Sequence, residues 1–90
     1  MAKRHTPEEL AEPMPMPYCI NTERLRNMRR ERELGRVDLA KMAQTSALTY
    51  SRWENGAVVP SYEEFDLLIA ALGCAREDLL TDEPNPKYWY

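Results

Sequence analysis

The sequence predicts an all-α fold, in which a compact body of five helices lies between a flexible N-terminal arm and an aromatic C-terminal tail. Strand-forming residues are sparse, and the apolar fraction of 43% is ordinary for a globular chain. Apolar residues recur at helical spacing, and serine caps and glycine stops separate the resulting stretches. Because 90 residues suit one small domain, we expect the arm over 1–19, the domain over 20–81 and the tail over 82–90.

The N-terminal arm, residues 1–19, is rich in proline and poor in large aliphatic side chains. Thr6-Pro7-Glu8-Glu9 has the form of a capping box, which allows one helical turn before Pro13. The following Met-Pro-Met-Pro run predicts an extended linker. A basic group at Lys3, Arg4 and His5 leaves two interpretations open, a mobile terminus, which we favour, and an arm that reaches along a polyanionic partner.

The first helix should begin after a cap at Asn21 or Thr22 and run to about Glu33. Its inner side carries the apolar residues Ile20, Leu25 and Met28. Four arginines occupy the remaining faces, and we interpret them as solvated side chains paired with neighbouring glutamates: Arg24, Arg26, Arg30 and Arg32.

The stretch from Leu34 to Gly56 predicts two short helices joined by a tight turn, a helix-turn-helix pattern. In the first of these helices the apolar residues Leu39, Ala40 and Ala43 share one face. Ser46 is a good N-cap whose hydroxyl can accept the N–H at or near Thr49, so the second helix should begin at Ala47. Its inner face carries Tyr50 and Trp53, with Trp53 packed in the core, and Gly56 is the expected left-handed stop.

Two further helices should follow the loop at 57–60. Ser61 and Glu64 form a capping box for a helix over Tyr62–Leu72, which Gly73 closes. Phe65, Leu68, Ile69 and Leu72 form its apolar stripe. A final short helix is predicted over Arg76–Leu80, although Ala75 gives it no side-chain cap.

These motifs resemble the lambda-repressor-like DNA-binding domain, the XRE or Cro type of helix-turn-helix, from about Ile20 to Leu80. The resemblance rests on Leu34-x-x-x-x-Leu39-Ala40, Ser46, Pro60-Ser61 and, most specifically, the run Ser51-Arg52-Trp53-Glu54-Asn55-Gly56. It implies a buried ion pair between Arg29 and Glu54. It also implies that the chain binds double-stranded DNA. Because the sequence has no cluster of metal ligands, we expect no cofactor or metal.

A helix-turn-helix places the leading turn of its second helix in the major groove, while the first helix spans the backbone. That geometry nominates five residues as base contacts: Ala47, Leu48, Thr49, Ser51 and Arg52. Ala47 and Leu48 are apolar where the family commonly has polar side chains. The nominated phosphate contacts are Arg36, Lys41, Asn55 and Arg24.

So small a domain reads too few base pairs alone, so we expect a homodimer on two half-sites. The nominated interface residues are Tyr62, Leu80, Tyr88, Trp89 and Tyr90. For the terminal aromatics three interpretations stay open, namely folding back onto the core or across a dimer partner, docking on a second protein, and disorder.

Charge is distributed unevenly along the chain. The net charge is −3, yet residues 20–56 carry eight Lys and Arg against five acids, whereas residues 57–90 carry two against seven. The basic half is the one that would face phosphate. The sequence contains a single His and no phosphate-binding glycine loop, and its two cysteines, Cys19 and Cys74, are far apart and read as reduced thiols, so we do not expect an enzyme.

The sequence therefore indicates a bacterial or phage transcription regulator, specifically a repressor that acts as a homodimer on a palindromic operator. The alternative is a protein-interaction module or antitoxin that keeps the fold and binds a partner protein. With no apolar run long enough for a signal peptide or membrane span, we expect a cytoplasmic protein that does not contact a membrane.

Overall fold

Four α-helices dominate the computed structural model, which describes residues 15–88. They are α1 (Thr22–Glu31), α2 (Arg36–Met42), α3 (Ala47–Glu54) and α4 (Tyr62–Leu72). Two short strands, β1 (Tyr18–Ile20) and β2 (Leu80–Pro84), pair antiparallel, and a 3-10 turn at Arg76–Asp78 precedes β2. The prediction of a mostly helical fold is confirmed, whereas the number of helices and the absence of strands are not.

The core lies between the four helices. α3 packs against α1 and α2, and α2 also packs against α4. The side chains that fill this space are fully buried and come from every helix and from Leu79, which follows the 3-10 turn: Leu25, Leu39, Tyr50, Trp53, Phe65, Leu68 and Leu79. Because apolar burial stabilises a fold by about 25 cal/mol per Å², these residues set the relative positions of the helices.

The predicted helix caps at Ser46 and Ser61 are confirmed. Ser46 Oγ accepts the Thr49 N–H at 3.1 Å, and Ser61 exchanges hydrogen bonds with Glu64 in a capping box. Gly56 and Gly73 adopt left-handed backbone angles, with φ of 78° and 68°. At each of these two positions a Cβ would be strained, which explains why the helices end there.

The first helix is shorter than predicted. Asn21 caps it by accepting the Arg24 N–H at 3.0 Å, but it ends at Glu31 instead of about Glu33. Glu33 has a φ of 55°, and the Leu34 N–H bonds to the Arg29 carbonyl at 3.2 Å. This left-handed residue turns the chain toward α2, an ending that the sequence does not mark with glycine.

The predicted fifth helix over Arg76–Leu80 is not confirmed as an α-helix. The structure has only the 3-10 turn there, with Asp78 Oδ2 accepting the Ala75 N–H at 2.9 Å. Leu79 is buried, and its carbonyl accepts the Asn21 N–H at 2.7 Å. The chain leaves the helical path because Leu79 must reach the core and Leu80 pairs with Ile20.

The small sheet was not predicted. Tyr18 pairs with Pro84 and Ile20 with Leu80, with an irregularity between them. Beyond it, the buried Asn85 donates its backbone N–H to the Pro17 carbonyl at 2.9 Å and its side-chain amide to the Met16 carbonyl at 2.7 Å.

These contacts pack residues 15–19 of the predicted arm, and residues 82–88 of the predicted tail, against the domain. Residues 1–14, with the predicted turn near Pro7 and the basic group at 3–5, lie outside the described residues, as do residues 89 and 90. The division of the chain into arm, domain and tail stays a prediction. No helix within the described range 15–88 is long and apolar enough to span a bilayer.

Candidate nucleic-acid interface

Helix α3 has one buried face and one exposed face. Tyr50, Trp53 and Glu54 are completely inaccessible to solvent. On the opposite side Ala47, Leu48 and Arg52 are exposed, Leu48 to 62%, while Thr49 and Ser51 are half-buried. The five nominated base contacts therefore lie together on the outward side and leading turns of one helix. The sequence placed Tyr50 and Trp53 on the inner face, and the structure confirms it.

The rotation of α3 about its axis is fixed by its two buried aromatic residues. The rings of Tyr50 and Trp53 meet edge to face, with centroids 6.3 Å apart and planes at 72°. Two such side chains bury a large apolar area, so turning the helix to bring them to the surface is costly. The packing of these two rings therefore determines which face of α3 points outward.

The buried end of α3 is held by a cluster of arginines around Glu54, which we call the Glu54 cluster: Arg26, Arg29, Arg36 and Glu54. Arg29 forms a two-pronged ion pair, with Nε donating to Glu54 Oε2 and Nη2 to Oε1, each at 3.0 Å. Arg36 Nε donates to Oε1 at 3.2 Å, and Arg26 Nη1 donates to the Glu54 backbone carbonyl at 3.1 Å. The ion pair implied by the family resemblance is thus formed and extended by two arginines.

This environment changes the protonation of the groups in it. Burial alone would raise the pKa of Glu54, but hydrogen bonds and charge attraction, chiefly from Arg29, hold the pKa of that carboxyl below its usual range. The hydrogen bond with Glu54 in turn raises the pKa of Arg29. Burial, followed by the nearby Glu54 carboxylate, raises the pKa of the Tyr50 hydroxyl. The carboxylate is therefore charged at neutral pH despite being buried.

The four nominated phosphate contacts do not lie together. The Arg36 side chain is 51% exposed although its Nε binds Glu54. Asn55, at the C-terminal cap of α3, and Lys41 are exposed. Arg24 instead donates from Nε to the Asp78 carbonyl at 3.0 Å, which ties it to the 3-10 turn. Of the four nominated residues, Arg36 and Asn55 are therefore the two that lie at the C-terminal end of α3.

Comparison with known proteins adds one finding at this point. The helix-turn-helix domain family matches residues 22–81, two thirds of the chain. The chain belongs to this family. The match is consistent with the XRE or lambda-repressor-like type, and it spans all four helices, among them α2 and α3, the pair predicted as the helix-turn-helix. No curated protein and no solved structure matches the chain.

Membership of the helix-turn-helix family indicates a DNA-binding regulator, in a family that is typically non-enzymatic. Within residues 15–88, no three His, Cys, Asp or Glu side chains are grouped so that they could hold a metal ion. Cys19 and Cys74 are both free thiols and half-buried. Burial raises the pKa of each, so neither is activated as a nucleophile.

Sequence reasoning missed two partners of Glu54: it assigned Arg26 to the solvated face of α1 and nominated Arg36 only as a phosphate contact. A usable signal was present, since Arg26 precedes Arg29 by three residues and side chains at this spacing share a helix face. Once Arg29 is assigned to Glu54, Arg26 is expected on the same side of α1, close to the C-terminal end of α3.

The nominated dimer residues are partly described. Tyr62, the first residue of α4, and Leu80, the first of β2, are both exposed on the acidic half of the chain. Tyr88 is half-buried, and its N–H donates to the Asn85 carbonyl at 3.0 Å. Trp89 and Tyr90 lie outside the described residues. The turn that begins at Asn85 thus anchors the chain up to Tyr88, the first of its three C-terminal aromatic residues.

Proposed function

We propose that this protein is a sequence-specific double-stranded DNA-binding transcription regulator that represses its target as a homodimer on a palindromic operator. The observation that carries the proposal is the open leading turn of α3. Ala47 and Leu48 are exposed, and the buried face of the same helix locks them outward. No other segment among residues 15–88 covers that turn, so it can enter a major groove.

Base readout would come from the outward side chains of α3. Arg52 can bind guanine through two parallel hydrogen bonds, and the Ser51 hydroxyl can bond to any base edge. The Thr49 hydroxyl already accepts a hydrogen bond from Ser46 Oγ at 2.9 Å, which orients it. Ala47 and Leu48 carry only apolar groups and would contact thymine methyls. The expected operator half-site therefore contains a guanine and at least one thymine.

Phosphate contacts would position this helix. Arg36 stands at the first position of α2, where its half-exposed side chain can face the backbone, and Asn55 lies near it, directly after the Glu54 that Arg36 binds. Lys41 is a further exposed cation on α2. Arg24, since it is bound to Asp78, would contribute least.

The homodimer follows from the size of the site. A single helix in one groove reads only a few base pairs, and a twofold pair reads two half-sites about one DNA turn apart. Tyr62 and Leu80 supply exposed apolar surface on the half of the chain where acids outnumber basic residues by seven to two. That half would turn away from phosphate, which supports an interface there.

A second function is favoured by a separate observation. Val37, Met42 and Leu48, all on the helix-turn-helix pair, are large apolar side chains and all are about half exposed or more. Exposed apolar surface of this kind is typical of protein interfaces. The second candidate is therefore a protein-interaction module, or an antitoxin that both represses and binds a partner protein, in which this surface meets protein instead of DNA.

Selection of bound duplexes from a random pool, followed by gel-shift assays across a salt titration, separates the two functions. The regulator predicts enrichment of a palindrome and an affinity that falls steeply with salt. Arg52→Ala should change the enriched sequence, whereas Arg30→Ala, an exposed arginine on α1, should not. Absence of binding to any duplex at low salt, together with co-purification of a partner protein from the native host, would favour the second function.

A further inference from the structure

We propose that Arg26 and Arg36 together form a phosphate clamp, two guanidinium groups that Glu54 holds at the C-terminal end of α3 to grip the DNA backbone. The inference rests on the proposed DNA-binding function and adds a binding residue, Arg26, that the sequence did not nominate. It also gives Arg36 a second role, because its bond to Glu54 would link a contact with the DNA backbone to the position of α3.

The geometry brings two arginines from different helices to one residue. Arg26 lies in α1 and Arg36 opens α2, yet Arg26 Nη1 is 3.1 Å from the Glu54 carbonyl oxygen and Arg36 Nε is 3.2 Å from Glu54 Oε1. A guanidinium carries five N–H donors, and each of these two spends one on Glu54. The other donors remain for a ligand, and the Arg36 side chain is half exposed.

The local charge favours an anion. Glu54 contributes one negative charge, which Arg29 already neutralises through its two-pronged ion pair. Arg26 lies within 4 Å of no carboxylate in the described part of the chain, and Arg36 lies within that distance only of Glu54. The helix C-terminus contributes about half a negative charge, so more than one positive charge is left uncompensated. A phosphate diester would neutralise it.

Anchoring by Glu54 also lowers the entropy that the two arginines lose when they bind a phosphate. A free arginine loses rotamer entropy when it is fixed on a ligand. Part of that entropy is already lost in the folded protein before DNA binds, because one N–H of each guanidinium is bound to Glu54. Since both arginines touch the last residue of α3, a phosphate bound between them would set the depth of the recognition helix in the groove.

The test is the salt dependence of binding to a mixed-sequence duplex, measured for full-length protein. Arg26→Gln removes the charge but keeps an amide that can donate to the Glu54 carbonyl. We expect Arg26→Gln and Arg36→Gln each to reduce the slope of log affinity against log salt by about 0.9, and the double variant by about 1.8. The matched control is Arg30→Gln, which removes the same charge from an exposed side chain of α1 that does not touch Glu54.

The clamp is contradicted if Arg26→Gln keeps the wild-type slope, or if Arg30→Gln lowers the slope as much, because the effect would then be one of total charge. If the wild-type protein binds no duplex at low salt, the DNA-binding function fails together with the clamp. Salt-dependent binding by the wild type with an unchanged Arg26→Gln slope removes only the clamp.

A second measurement needs no variant, in case Arg26→Gln does not fold. In an NMR titration of wild-type protein with a short duplex, the side-chain Nε–H signals of Arg26 and Arg36 should shift and that of Arg30 should not. An Arg26 signal that stays in place at saturating DNA overturns the proposal.

Discussion

Two ion pairs in different regions of this protein differ in both length and burial, and the shorter pair is the more exposed one. In the Glu54 cluster the Arg29 to Glu54 bonds are 3.0 Å long and the carboxylate is fully buried. On the acidic half, Arg76 Nη2 lies only 2.6 Å from Asp66 Oδ1, but the two side chains are 52% and 50% exposed. The shorter pair is the one that water can replace, so its length is a poor guide to its importance.

The difference lies in what happens when one partner is removed. A solvated carboxylate that loses its arginine is rehydrated at little cost, and such pairs typically contribute about 0–1 kcal/mol. A buried carboxylate has no water to replace the arginine, so its loss leaves a stranded charge. The Glu54 cluster therefore determines the position of α3, whereas the Asp66 to Arg76 pair only joins the 3-10 turn to α4.

The largest expected effect comes from breaking the buried pair. Arg29→Ala should lower the free energy of unfolding by about 3–5 kcal/mol, because Glu54 would remain buried and charged without its main partner. Urea unfolding followed by circular dichroism measures this, with sucrose added to keep a folded baseline. Arg30→Ala, one residue along α1 and exposed, should change stability by no more than about 0.5 kcal/mol. A loss below about 1 kcal/mol for Arg29→Ala would remove the distinction between the two regions.

The helix-turn-helix pair could be predicted from the sequence because its signals are local. Ser46 accepts a hydrogen bond three residues ahead, and Tyr50 and Trp53 share a face by helical spacing alone. The family match then covers residues 22–81 and agrees with the sequence-based assignment of the fold. The nominated base contacts follow from the same periodicity, although their contact with DNA stays a prediction.

The terminal sheet could not be predicted in the same way, because it depends on contacts between residues 60 or more positions apart. Ile20 pairs with Leu80, and Asn85 bonds to Met16 and Pro17. The strands are too short for a clear alternating pattern, and Asp82 and Pro84 are residues that strands usually disfavour. Arg26 is an intermediate case, since its spacing from Arg29 puts it on the right face of α1, but only tertiary packing brings it to the Glu54 carbonyl.

A second and smaller effect should be seen in acid. The pKa of Glu54 is lowered in the folded state from its ordinary 4.5, so its ionisation stabilises the fold at any pH above the unfolded-state value. That stability should fall as the pH drops below about 4.5 and through the lower folded-state pKa.

Measuring the free energy of unfolding from pH 7 to pH 3 for the wild type and Glu54→Gln tests this. The wild-type curve should fall more steeply, because glutamine cannot take up the proton. Parallel curves would show that Glu54 does not carry the acid sensitivity. Asp66→Asn, at the exposed pair, is the matched control and should follow the wild type closely.

The smallest expected effect belongs to the exposed pair. Arg76→Ala should change the free energy of unfolding by about 0–1 kcal/mol, and the change should shrink further in 1 M salt, where the screening length falls to about 3 Å. A double-mutant cycle with Asp66→Ala isolates the interaction from the loss of each side chain. A coupling above about 2 kcal/mol would mean that the 2.6 Å contact persists against water, and burial would then no longer separate the two regions. A coupling near zero, beside a large effect at Arg29, would show that the protein's stability depends on the charges that hold α3.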